Sequence, residues 1–160
     1  MEQLSIIDSK GKSVAVGFYP LQKWQDGSFR FVLVNFLTDL EAKGQACYEL
    51  LLGENGAASR HIHVKEADNC FEIVTGPLKL QIRKQRFNIL DKVWLDNSGK
   101  GAFADSNLLV FGGEGITAEI DGVRYTSAEG EVYSLVVERQ DAVQVVVRAE
   151  GKLGSPLGLK

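Results

Sequence analysis

The stretch W-Q-D-G-S-F-R-F-V-L-V-N-F, Trp24 to Phe36, decides the fold. Asp26-Gly27 is a tight-turn signal, because glycine enters the positive-φ region at no steric cost and aspartate bonds its own backbone two residues on. The residues that follow, Phe29 to Phe36, are rich in aromatic and β-branched types and read as a strand. Both of its faces are apolar, which predicts a central strand covered on both sides. The corner W-Q-D-G-S is then the bend of a hairpin, with Trp24 packed beside it.

Outward from this corner the same pattern repeats. Strand-like runs fall at 4–7, 13–19, 28–37, 46–52, 61–66, 70–75, 78–83, 87–95, 107–111, 116–120, 123–127, 131–138 and 142–150. The best helical candidate, T-D-L-E-A-K-G-Q at 38–45, is short and broken by Gly44, so it reads as a turn. Short strands at regular spacing with no helices between them predict an all-β sandwich or barrel. In L-K-L-Q-I-R (78–83), Leu78, Leu80 and Ile82 share one face and Lys79, Gln81 and Arg83 the other, a half-buried strand. In A-V-Q-V-V-V-R-A-E (142–150) one face is wetter than the other. Turns are expected at D-S-K-G-K (8–12), T-G-P (75–77), I-D-G-V (120–123, a two-residue type I′ hairpin) and S-A-E-G-E (127–131). The small, polar G-E-N-G-A-A-S (53–59) is the expected domain boundary, and 96–107 the expected long loop.

Composition restricts the functions available. A chain of 160 residues with 44% apolar and 24% charged residues can bury a core without staples. A net charge of −3 with no long basic block argues against a nucleic-acid partner. The short cluster Arg83-Lys84-Gln85-Arg86 reads as a solvated turn. No run reaches the roughly 18 apolar residues of a membrane helix, so no membrane partner is expected. The start, M-E-Q-L-S-I-I-D, has no secretory pattern, which gives a cytoplasmic expectation, or an extracytoplasmic one if a leader has been removed. Cys47 and Cys70 lie in strand-like runs and read as buried small apolar residues, with a bridge between two strands as the alternative.

Candidates for chemistry are few. His61 and His63 point to one face of a strand and could share a metal, with Glu66, Asp68 or Cys70 nearby, yet no ligand pattern is complete. They read instead as surface histidines, so no metal and no cofactor are expected. Gly112-Gly113-Glu114-Gly115 resembles a phosphate loop, but a strand follows it where a phosphate cradle needs a helix N-terminus. No nucleophile or acid–base constellation stands out, and Arg124-Tyr125 fits a sheet surface as well as lyase chemistry. The aromatic residues remain. Trp24 and Tyr19, with Asp26 and Arg30 beside them, are candidate carbohydrate contacts, because an exposed indole or phenol stacks on the apolar C–H face of a pyranose. The structural alternative has Trp24 packing on the hairpin.

W-Q-D-G-S-F-R-F-V-L-V-N-F followed by D-L-E-A-K-G-Q-A-C-Y-E-L-L-L-G (39–53) resembles the exo-rhamnogalacturonan lyase-like, or YetA-like, family. Trp24, Asp26, Gly27, Ser28, Arg30 and Phe31 stand at that family's W-x-D-G-S-x-R-aromatic segment. Tyr48, Glu49 and Leu50 stand at its Tyr-x-Leu strand. I-V-T-G-P-L-K-L-Q-I (73–82), D-G-V-R-Y-T-S-A-E-G-E-V (121–132) and V-V-V-R-A-E-G-K-L (145–153) are similar to later segments. The resemblance implies a small Greek-key-type barrel at 1–59, then an antiparallel β-sandwich at 60–160. It places the lyase residues in a later helical part, so it implies no catalytic residue here. It also implies that this chain is a piece of a longer architecture, whose open sheet edge would pair in a homodimer through the 131–150 strands. Three functions follow: a non-catalytic scaffold or carbohydrate-contact module, a protein-interaction domain without sugar binding, and a small carbohydrate lyase or hydrolase.

Overall fold

The turn signals fall where the chain reverses. In a computed structural model, which describes residues 4–53 and 62–155, Gly11, Gly27, Gly76 and Gly122 all take positive φ. Asp121 and Gly122 are both at positive φ between the paired residues Ile120 and Val123, as a type I′ hairpin requires. The described residues contain no α-helix. They form β1 (Leu4–Asp8), β2 (Val16–Lys23), β3 (Phe29–Phe36), β4 (Tyr48–Leu52), β5 (Ile62–Glu66), β6 (Cys70–Thr75), β7 (Leu78–Arg83) and β8 (Lys92–Leu95). A 3-10 turn at Asp105–Asn107 precedes β9 (Leu108–Phe111), β10 (Thr117–Ile120), β11 (Val123–Gln140) and β12 (Val145–Gly154). Four sheets result: β1-β4, β2-β3, β5-β6-β7-β8-β9 and β10-β11-β12.

The chain divides into two compact units. The first holds the described residues of Met1–His61 together with Arg139–Val145, the tip of the β11–β12 hairpin. The small barrel expected for 1–59 does not close here. A barrel needs an unbroken ladder around its axis. Among the described residues β1 pairs with β4 and β2 with β3, and only the single bridge Ile7↔Ser13 extends the β1 ladder. The result is two ribbons. Ile6 is the one large apolar side chain of this unit that is buried among the described residues. The expectation of a covered, central β3 fails for the same reason: with β2 as its sole neighbour among the described residues, Phe29, Phe31 and Leu33 remain exposed. Cys47, expected to be buried, is exposed in the irregular segment before β4, and Cys70 is buried at the start of β6; both are free thiols.

The second unit holds the described residues of Ile62–Glu138 and Val146–Lys160. Its five-stranded sheet is a meander whose register puts Val64, Ile73, Leu80 and Val93 side by side on one face. Phe71 and Ile82 join them, and the buried members form the core of the unit. The other face carries Glu72, Lys79, Lys92 and Trp94. Trp94 is buried there, with the ammonium groups of Lys79 and Lys92 5.2 and 5.8 Å from its ring centroid.

Two runs fold differently from expectation. The segment 87–91, expected to be strand, is irregular, with Arg86 and Ile89 at positive φ. Its shape is held by Asp91, whose carboxylate meets Arg83 Nε at 2.8 Å and accepts from Asn88 Nδ2 at 3.2 Å. S-A-E-G-E (127–131) is not a turn, and β11 runs straight through it. Gly130 is there because a Cβ would collide with the Lys152 carbonyl, so glycine serves close backbone approach rather than positive φ.

Candidate functional site

The hairpin corner of the first unit is built by its own residues. Asp26 Oδ1 accepts the Ser28 backbone N–H at 2.9 Å and the Ser28 hydroxyl at 2.6 Å. Trp24 closes the loop through its backbone, donating to Ser28 O at 2.8 Å and accepting from Gly27 N–H at 3.0 Å. The Ser28 hydroxyl, and then its backbone N–H, hold the Asp26 carboxyl below the usual aspartate range. Asp26 is therefore spent on the turn. Trp24, freed from the ladder, is 54% exposed. The Arg30 guanidinium lies 4.6 Å from the Trp24 ring centroid and 5.3 Å from that of Phe31. Such a stack contributes about 0.5–1 kcal/mol at an exposed site, enough to bias the indole toward this orientation. Trp24, Gln25, Asp26 and Ser28 line a shallow hollow beside it.

Tyr19 is not part of this corner. It faces Leu33 in the ladder, four residues up β2 from Lys23, or roughly 13 Å at the rise of a strand. Its ring lies under the Arg139 guanidinium, with 3.9 Å between the guanidinium carbon and the ring centroid. The contact belongs to a larger joint. Asn35 Nδ2 donates to Gln144 Oε1 at 2.9 Å, and the Asp141 carboxylate lies against Gly17. Asp141 also shapes the hairpin tip, accepting from the Val143 and Gln144 N–H groups at 2.9 and 2.7 Å. Sequence reasoning missed Arg139 because no local pattern links it to Tyr19. The structure thus joins Trp24, Asp26 and Arg30 and assigns Tyr19 to a different contact.

The remaining candidates do not assemble into a site among the described residues. His63 is exposed on β5; His61 lies outside the described residues, which contain no cluster of three or more acidic, histidine or cysteine side chains fit to hold a metal. Gly112, Gly113 and Gly115 take positive φ in the link from β9 to β10, and Glu114 pairs with Arg124. Of the basic cluster, Arg83 pairs with Asp91, Lys84 with Glu66 at 2.7 Å and Arg86 with Glu129 at 3.2 Å. The second unit also has a cavity of about 140 Å³ lined by Phe87, Ile116, Ser127, Glu131 and Lys152 among others. Lys152 bonds Glu131 at 3.0 Å; that bond, with the charges of Tyr133 and Glu131, raises its pKa. In the first unit, an open cleft of about 1000 Å³ runs past Asp8, Lys10, Lys12, Thr38 and Cys47. No helix among the described residues is long and apolar enough to cross a membrane.

Residues 62–158 match the family described as PcRGLX-like protein central beta sandwich domain. The chain belongs to this family. The PcRGLX-like match is rhamnogalacturonan lyase-like and agrees with the resemblance carried by the sequence motifs. It spans β5 to β12, so the sandwich is the part the family accounts for, and the Trp24 corner precedes it. No curated protein and no solved structure matches the chain significantly.

Proposed function

We propose that this PcRGLX-like chain is a non-catalytic β module of a polysaccharide lyase-like protein and contacts carbohydrate through the Trp24 corner. The reading treats 1–59 and 60–160 as separate domains, with the contact on the first. One observation carries it: an exposed indole held in place by an arginine stack beside an open hollow. The free side of the indole offers a flat apolar surface to the C–H face of a sugar ring. Arg30, whose guanidinium has five donors, is suited to the carboxylate of an acidic sugar. Asp26 acts through the turn and not on the ligand.

The test is calorimetric titration of the full chain with a panel of pectic and other acidic oligosaccharides. Saturable binding is expected, lost in Trp24→Ala and weakened in Arg30→Ala. Weakening in Arg30→Ala should be greater for acidic than for neutral oligosaccharides. Binding that survives Trp24→Ala would refute the corner as the contact. A second reading, a scaffold for protein contacts, is favoured by the exposed stripe Leu21, Phe29, Phe31 and Leu33; absence of any sugar binding would promote it.

A further inference from the structure

β12 is an edge strand of the described sheet. Among the described residues it has β11 on one side and no strand on the other. From Arg148 to Lys152 every residue is exposed, whereas a strand with one covered face would alternate. Such an edge presents a row of backbone donors and acceptors, and natural edges are blunted by prolines, bulges or charged side chains, which block pairing unless a partner's charges match them. Val145–Gly154 contains no proline. Its exposed charges, Arg148, Glu150 and Lys152, alternate in sign along one face.

That alternation has a consequence under two-fold symmetry. When two antiparallel copies of a strand pair about an axis at residue n, residue n + k faces n − k of the copy. With the axis at Ala149, Arg148 faces Glu150 of the copy and Glu150 faces Arg148 of the copy, two opposite-charge pairs on one face. Val145 faces Leu153, and Val147 faces Gly151. At the axis a small side chain meets its own copy. With the axis one residue on, at Glu150, the carboxylate would meet itself and Arg148 would face Lys152, so the charges select against that register. Arg148 already lies near Glu138 at 3.6 Å and pairs with Glu150 of its own chain, which holds the guanidinium on this face.

We propose that the β12 edge is a self-association surface whose partner is a second copy of this chain, paired antiparallel about Ala149. The inference is independent of the carbohydrate reading, since the edge and the Trp24 corner share no residue.

Sedimentation velocity of the full chain over a concentration series tests it. A reversible monomer–dimer equilibrium is expected. Arg148→Glu alone, or Glu150→Arg alone, creates two like-charge pairs across the axis and weakens the dimer on the order of tenfold. The double variant R148E/E150R restores both pairs and the affinity. Circular dichroism confirms that each variant is folded. Ala149→Glu, at an exposed position, sets a carboxylate against its own copy and is expected to abolish the dimer; it decides the matter where a charge variant fails to fold. A chain that stays monomeric throughout overturns the proposal. So does a dimer indifferent to these substitutions, which would transfer the contact to another surface such as the Phe29–Phe31 stripe.

Discussion

Gly17 shows what a single hydrogen atom in place of a methyl group does. It is buried on β2 opposite Asn35, and a Cβ there would overlap the carboxylate of Asp141. Asp141 cannot simply swing away, because two backbone N–H groups of its own turn hold it. Gly17→Ala is therefore expected to destabilise the first unit by about 1–3 kcal/mol, the usual cost of overpacking. The measurement is a urea denaturation curve; an unchanged midpoint would show that the joint is loose. Nothing near Gly17 in the sequence announced this role. Turn glycines such as Gly27 and Gly122 were legible because a local rule, positive φ beside aspartate, governs them. Gly17 and Gly130 answer to backbone and side chains far away in sequence.

Among the elements, the loop 96–104 shows how a carboxylate can order an irregular segment. Buried Asp96 accepts the Ser98 N–H at 2.9 Å, the Ser98 hydroxyl at 2.6 Å and the Gly101 N–H at 2.6 Å. The Ser98 hydroxyl bond is the chief cause lowering the Asp96 pKa from 3.8, with the Ser98, Gly101 and Ala102 N–H groups adding to it against the opposing effect of burial. A carboxylate whose folded pKa is depressed contributes stability above its unfolded value and loses it as pH falls through the folded one. The contribution of Asp96 is thus expected to be fully present and independent of pH near neutrality, and to decline below about pH 4. Asp96→Asn keeps an oxygen for the Ser98 N–H but cannot titrate, so its thermal midpoint should fall less steeply between pH 4 and pH 2 than that of the unaltered chain. Equal slopes would remove Asp96 from the account. The loop's existence was legible from its Gly, Ser and Asn content; its anchoring was not, because composition does not say which aspartate turns inward. The strands were legible in the same partial way. Their period placed Leu78, Leu80 and Ile82 on the core side, while the apolar run of β3 could not disclose that β2 would be its sole neighbour.

Across the whole molecule, the all-β class and the sandwich follow from strand spacing and the absence of a helical period, and the family match covers the sandwich. The barrel expected before it resolves into two ribbons, since local alternation cannot specify where a ladder closes. The candidate site was half legible. D-G-S predicted the turn, but Trp24, expected to pack beside it, is 54% exposed; the structure adds the Arg30 stack and places Tyr19 under Arg139. The chain has two tryptophans in contrasting settings, Trp24 54% exposed and Trp94 7% exposed. A ¹⁵N-labelled sample therefore gives two indole N–H signals, one from each setting. Titrating the labelled chain with acidic pectic oligosaccharides should shift the indole signal that is absent from Trp24→Ala and leave the Trp94 signal in place. Both signals unmoved at saturating ligand, or movement of the Trp94 signal alone, would contradict the carbohydrate-contact role of the corner.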